Sequence, residues 1–418
     1  MAADTSLDKI CVIIGASHAG VNVAFSLRRE GWEGKIVLFD SDPEVPYHRP
    51  PLSKAYLKAD DDSQLDLLFP KQNYISENIT LCLGKTIVEI NKESNQISLS
   101  DGSIQKYNKL VVATGARPFI PPIKGIDLAS NLFSMRNFAD AVNIQKAIIS
   151  SEEKRVVIIG GGYIGLETAA SLRKLGAKVT VLEREKRVLA RITAPEMSTF
   201  FSKLHQENGV DLLANKNVIL IETSEGVNKL LCDDNTTYTA DLIVVGVGIK
   251  VNTELAENAG LVIENGIKVD SNAKTSAENI YAIGDCTYHF NPHYNRFIRL
   301  ESVQNAVDQA KVAAAAICGN EVEYDAIPWF WSDQYDVKLQ MVGLSTGYNQ
   351  TIKRIEDNNE KCQSVWYFKD EELLAVDAVN NGKAYVLGTR FIKAKQQLDK
   401  EKLMDVSIPI KQTSFLKD

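Results

Sequence analysis

Two carboxylates, Asp40 and Glu183, each follow a glycine-rich turn at nearly the same distance. Asp40 ends the run "KIVLFD" twenty residues past Gly20, and Glu183 ends "KVTVLE" eighteen residues past Gly165. The turn ahead of Asp40 is a G-x-S-x-x-G through Gly15, Ser17 and Gly20; the turn ahead of Glu183 is a complete G-x-G-x-x-G through Gly160, Gly162 and Gly165. Such turns let backbone amides at a helix start approach a diphosphate, and a carboxylate about twenty residues on accepts hydrogen bonds from an adenosine ribose. Ser17 stands where a middle glycine is usual, and its side chain is small enough to keep the approach open.

Each turn lies between an apolar, β-branched run and a helical pattern: "KICVII" before "VNVAFSLRREG", and "RVVII" before "YIGLETAASLRKLG". The distance from Gly15 to Gly160, 145 positions, suggests a duplicated dinucleotide fold, one copy for a flavin and the other for a nicotinamide cofactor. In "KLVVATGARP" an apolar strand runs into Ala113, Thr114 and Gly115, where the chain can leave the first fold. "NIYAIGDC" ends on Asp285, which can accept from a flavin ribityl hydroxyl or serve as a turn residue. "RLESVQNAVDQAKVAAAAIC" reads as a helix from Ser302 with Val303 in its first turn, and its dipole favours negative charge at that end. In "PWFWSDQY" strand alternation puts Trp329 and Trp331 on one face and Phe330 on the other.

The net charge of -7 argues against nucleic-acid binding, no apolar run is long enough to span a membrane, and the start "MAADTSLDK" lacks a signal-peptide core. The six cysteines (Cys11, Cys82, Cys232, Cys286, Cys318 and Cys362) form no redox or metal spacing with one another or with the histidines. A reducing, cytoplasmic setting and no metal are therefore expected.

With "YHRPPLSKAYL" (47–57), "RLESVQNA" (299–306) and "PWFWSDQYDVKLQMVG" (328–343) added, the chain resembles the oxygenase-coupled ferredoxin reductases of the putidaredoxin reductase type, from about Lys9 into the final domain. The resemblance implies an α/β protein with two Rossmann-like, glutathione-reductase-like dinucleotide domains and a C-terminal α+β domain. The divisions are 1–117 with 247–327 for FAD, 118–246 for NADH, and 328–418 covering the flavin. It assigns Gly15, Ser17, Gly20, Asp40, Arg49, Lys54, Ala113, Thr114, Gly115, Asp285, Glu301, Ser302, Val303 and Trp331 to the FAD site. Gly160, Gly162, Tyr163, Ile164, Gly165, Glu183, Arg191 and Gly248 fall to the NAD site. Lys54, on a loop stiffened by Pro46, Pro50 and Pro51, is expected near flavin N5 with Glu167 as its orienting partner, and Trp331 nearby; these three are the expected catalytic residues. A solvated loop lysine, a core tyrosine at Tyr163 and core tryptophans are the plain alternatives.

The implied reaction takes hydride from NADH onto FAD and passes single electrons to a 2Fe-2S ferredoxin that supplies an oxygenase. Glu183 favours NADH by repelling a 2'-phosphate. Lys338, Arg390 and Lys393 are candidates for docking an acidic ferredoxin. One departure is Val251, where the family usually has proline. Rubredoxin or monodehydroascorbate reduction, and an apoptosis-inducing-factor-like NADH sensor, are the alternatives. A flavin disulfide reductase is disfavoured because "DSDPEVPYHRPPLSK" contains no cysteine.

Overall fold

The computed structural model describes residues 9–58, 65–411 and 414–417; most of the N-terminal stretch read for a signal peptide lies outside them. The chain forms two compact units. One comprises the described residues of Met1–Arg49, Gln64–Arg117 and Lys250–Pro328; the other comprises those of Pro50–Ser63, Pro118–Ile249 and Trp329–Asp418. The stretches 118–249 and 329–418 fall in one unit, and the proline-stiffened segment after Arg49 joins them. Local contacts hold that segment there: Ser171 Oγ donates to Ser53 O at 2.7 Å, and the Tyr56 ring packs edge-on against Phe138 at 5.6 Å.

In the first unit the parallel sheet runs in the order Ile280–Ala282, Lys109–Val112, Ile10–Ile14, Lys35–Asp40, Ile79–Leu83. Both faces are covered, which is why its strands read as unbroken apolar runs. One face carries the helices His18–Arg29 and Val303–Ile317 over Cys11, Ile13 and Leu38, with Ala306, Ala310 and Ala314 small enough to let the helices approach. The other face buries Val12, Ile14, Ile90, Leu110 and Ile267.

The second unit repeats this plan. Its parallel sheet runs Asp211–Leu213, Lys178–Leu182, Arg155–Ile159, Leu242–Val245, Leu132–Phe133. Four strands match the first sheet in order, but the fifth precedes its glycine turn in the chain instead of following it. A five-stranded antiparallel sheet follows, ordered Trp329–Gln334, Val337–Gly343, Glu372–Val379, Gln363–Lys369, Gln350–Ile355. The helix Gly382–Lys393 lies close on it: a Cβ on Gly388 would stand 2.6 Å from a Val376 methyl. Tyr163, Met197 and Phe201 share one core with Leu339, Val365 and Tyr367, so the dinucleotide fold and the antiparallel sheet bury a common interior. Among the described residues no helix is long and apolar enough to cross a membrane.

Candidate functional site

In the first unit the turn after Ile10–Ile14 is fixed by close backbone approach. Gly15 has φ +105°, and a Cβ there would lie 2.2 Å from Ala113 O; a Cβ on Gly20 would lie 1.8 Å from Gly15 O. Ser17 is the N-cap residue of His18–Arg29 but makes no side-chain cap bond, and the first turn has no acid. The leading amides and the positive end of the helix are thus suited to a diphosphate. Asp40 fastens this turn: its Oδ2 accepts from Ala16 N at 2.5 Å and its Oδ1 from Asp42 N at 2.8 Å. A carboxylate has about four acceptor positions, so room remains for ribose hydroxyls.

Around this turn, Ala113 N donates to Ile14 O at 2.8 Å. Thr114 and Gly115 are zipped to Asn252: Thr114 Oγ1 donates to Asn252 O at 2.7 Å, Asn252 Nδ2 to Thr114 O at 2.8 Å, and Asn252 N to Gly115 O at 3.0 Å. These bonds pin the turn after Val251 without a proline. Arg49 is engaged within its own loop; its guanidinium lies over the Tyr47 ring at 4.5 Å and donates to Tyr47 Oη at 2.9 Å and Asp42 Oδ2 at 3.3 Å. Asp285 is half-buried in the short turn Gly284–Cys286. Ser302 caps its helix by accepting from Asn305 N at 3.1 Å, with Val303 the first helical residue. Glu301 is exposed and paired with Arg299 at 2.7 Å.

The second unit repeats the turn. Gly160 has φ +108°, with a Cβ placed 2.5 Å from Gly246 O, and a Cβ on Gly165 would lie 2.2 Å from Gly160 O. Gly162 caps Tyr163–Lys174, again without a side-chain cap bond or an acid in the first turn. Glu183 behaves as Asp40 does, accepting from Gly161 N at 2.6 Å and Glu185 N at 2.7 Å. Leu189 N donates to Gly161 O at 3.0 Å, bringing the segment before Arg191 back to the turn; Arg191 itself is exposed. Tyr163 is buried, its hydroxyl donating to Met341 Sδ at 2.8 Å and its ring 5.2 Å from Phe330; burial raises its phenol well above the ordinary range. Ile164 is 46% exposed despite being apolar, and Gly248, at φ +116°, is open around its Cα. In each unit, then, the glycine cradle, the uncapped helix start and the carboxylate fit a dinucleotide.

Lys54 and Glu167 meet within the second unit. Lys54 Nζ donates to Glu167 Oε2 at 2.6 Å, and Glu167 is 3% exposed. The same oxygen accepts from Ser53 Oγ at 2.6 Å, and Oε1 accepts from Ser332 Oγ at 2.6 Å. Behind Ser332, Gln334 Nε2 donates to its hydroxyl at 3.1 Å and Gln334 Oε1 lies 2.8 Å from His205 Nε2. Trp331 is half-buried, 5.5 Å from Trp329 and 6.3 Å from Phe330 between ring centres. Sequence reasoning missed Ser53, Ser332 and Asp42. Ser332 shares the strand face of Phe330, and an inward polar residue there was a readable signal.

All six cysteines are free. Burial pushes the Cys11 thiol up to about 12 and also raises Cys286, so neither is a thiolate near neutral pH. Among the described residues no cluster of three or more metal-ligating side chains is present.

The family model for pyridine nucleotide-disulphide oxidoreductases matches residues 9–310, and one for a reductase C-terminal domain matches 329–414. Putidaredoxin reductase of Pseudomonas putida is 41% identical over 96% of this chain and 96% of its own length. Rhodocoxin reductase of Rhodococcus erythropolis is 38% identical over 96% and 93%. The solved covalent putidaredoxin reductase–putidaredoxin complex matches with TM-score 0.91 at 40% identity, over 97% of both chains. A ferredoxin reductase for the CYP199A2 system of Rhodopseudomonas palustris matches with TM-score 0.92 at 35% identity, over 97% of this chain and 100% of that one.

Proposed function

This chain belongs to the pyridine nucleotide-disulphide oxidoreductase family, among its putidaredoxin reductase-like members, and we propose that it is an NADH-dependent, FAD-containing ferredoxin reductase that feeds an oxygenase. The observation that carries this reading is the repeated cradle: two glycine turns, each fastened by its own carboxylate, in a chain whose six cysteines are unpaired and whose segment 40–54 contains none. Bound FAD supplies the conversion between a two-electron hydride donor and one-electron acceptors.

The chain's own residues do the rest. In the first unit Gly15, Ser17, Gly20 and Asp40 would take the FAD diphosphate and ribose. Arg49 would strengthen the diphosphate contact, and Ala113, Thr114 and Gly115 would line the approach. Asp285 would take the ribityl chain, Glu301 would stand at the nicotinamide, and Ser302 with Val303 would present the helix end to the ring. In the second unit Gly160, Gly162, Ile164, Gly165, Glu183, Arg191 and Gly248 would bind NADH, with Tyr163 as the displaceable aromatic. Lys54 would supply a cation favouring the reduced flavin, oriented by Glu167, with Trp331 as a further aromatic of the reacting region.

Lys338, Arg390 and Lys393 are all exposed on the second unit, which suits charge-guided docking of a 2Fe-2S ferredoxin. The unpaired cysteines suit a reducing, cytoplasmic setting. A rubredoxin acceptor is the second reading, because the rubredoxin-NAD(+) reductase of Pseudomonas putida is 37% identical over 88% of this chain and 95% of its own length. The test reduces the yellow protein anaerobically with NADH and offers a 2Fe-2S ferredoxin and a rubredoxin in parallel. Faster reoxidation by the ferredoxin supports the proposal, and faster reoxidation by the rubredoxin moves the acceptor to the second reading.

A further inference from the structure

Beneath the Gly284–Asp285 turn lies a buried polar hub centred on Gln309, a residue of the helix Val303–Ile317 that is 1% exposed. Gln309 Oε1 accepts from Gly284 N at 2.7 Å and lies 3.0 Å from Thr287 Oγ1, while its Nε2 donates to His289 Nδ1 at 3.2 Å. The Thr287 hydroxyl has one proton and a second acceptor, Gly284 O at 2.9 Å, so the bond from the Gly284 amide is the one that depends on Gln309. Burial lowers His289 to about 4 and keeps it neutral; with Nδ1 accepting, its proton sits on Nε2, a buried atom with no hydrogen-bond partner among the described residues.

The same helix face carries Asn305, whose amide is capped by Ser302 and whose Oδ1 accepts from Tyr324 Oη at 2.9 Å. The Tyr324 ring in turn meets His289 edge-on at 4.9 Å. The turn has little lateral freedom. Gly284 has φ +80°, and a Cβ there would stand 3.1 Å from Ala19 Cβ and 3.9 Å from Ala306 Cβ, between the two helices that cover the sheet. The bond from Gly284 N to Gln309 therefore ties the backbone of the Asp285 turn to the helix whose first turn holds Ser302 and Val303.

We propose that Gln309 is a positioning residue for the flavin. It fixes the separation between the turn offered to the ribityl chain and the helix end offered to the electron-rich edge of the ring. Two elements distant in the chain, 284–286 and 302–303, are held to one geometry by a side chain that itself need not touch the cofactor. The inference rests on reading this unit as the FAD fold.

The test compares Q309L, which loses acceptor and donor, with Q309E, which keeps an acceptor for Gly284 N, both purified as holoproteins beside wild type. FAD dissociation constant, flavin midpoint potential and apoprotein thermal midpoint are measured for each. Q309L should raise the FAD dissociation constant ~10-fold, the scale of one buried hydrogen bond. It should also move the midpoint potential to a more negative value, because the helix end no longer meets the ring correctly. Q309E should recover affinity relative to Q309L. If Q309L does not fold, Q309E and Q309N decide by the same potential measurement, the shorter Asn being expected to shift it. FAD affinity and potential unchanged in these variants would overturn the inference, as would losses that track the apoprotein thermal midpoint alone. A wild-type protein that bound no FAD would instead sink the cofactor reading on which the inference rests.

Discussion

Glu167 accepts three hydrogen bonds, from Lys54, Ser53 and Ser332, although a simple ion pair would need only the first. The serines satisfy a nearly buried carboxylate and fix its rotamer, and through it the direction of the Lys54 ammonium. Replacing Lys54 by Met should slow flavin reduction by NADH by ~10–100-fold, the scale for removing one preorganised electrostatic group, with FAD content unchanged. Stopped-flow reduction measures this, and an unaltered rate would return Lys54 to a loop lysine. Ser332→Ala should have a smaller effect in the same assay, because it leaves one oxygen of Glu167 without its hydroxyl donor.

A second buried acid makes a pH prediction. Asp377 is 4% exposed and bonded to the Tyr367 hydroxyl, and burial pushes it up from 3.8 to about 7. Between those values the folded chain holds a proton that the unfolded chain has released. The stability contributed is therefore present below about pH 4 and is lost as pH rises to about 7. Urea unfolding at pH 5 and pH 8 should show wild type losing on the order of a few kcal/mol relative to Asp377→Asn. Parallel behaviour of the two proteins would contradict it. Lys54 and its PPLSK context were legible in sequence. Of Ser332 only its polarity on the strand face of Phe330 was legible; that it bonds Glu167 was not, because the two lie 165 positions apart along the chain.

At the scale of elements, the glycine turns were legible because all their determinants lie within a few residues: a strand, a residue with positive φ, and a helix start. What could not be read was that Asp40 and Glu183 would turn back onto Ala16 N and Gly161 N, since that depends on the side chain's direction once the strands pair. The two turns should fail independently. Gly20→Ala places a Cβ 1.8 Å from Gly15 O and should yield protein depleted in FAD. Gly165→Ala, with its Cβ 2.2 Å from Gly160 O, should keep FAD and raise the KM for NADH. Absorbance of the purified proteins and NADH titrations separate these outcomes, and a Gly20→Ala protein with full FAD would contradict the assignment of the first turn. The grouping of residues 50–58 with the second unit was hidden from sequence. It follows from bonds such as Ser171 Oγ to Ser53 O, which no local pattern announces.

For the whole molecule, the net charge of -7 says little about docking, because exposed Lys338, Arg390 and Lys393 stand on one unit of an acidic chain. If they guide an acidic ferredoxin, its reduction rate should fall steeply as salt rises, and Lys338→Glu should weaken that dependence while leaving direct reduction of the flavin by NADH intact. The duplicated parallel folds were visible from the spacing of two fingerprints. The C-terminal α+β domain was expected only through the likeness of "PWFWSDQY" to known reductases, and its antiparallel sheet was not read, since five short strands of mixed pattern carry little local signal of their order. The central claim is that FAD and NADH occupy the repeated cradles and deliver electrons to an iron-sulfur protein without a sulfur relay. Anaerobic titration of the purified protein, with its thiols blocked, tests this most directly. The account predicts a yellow protein that NADH bleaches and that each added 2Fe-2S ferredoxin reoxidises by one electron. A colourless protein that FAD does not reconstitute, or a flavin that NADH reduces only while the thiols are free, would contradict it.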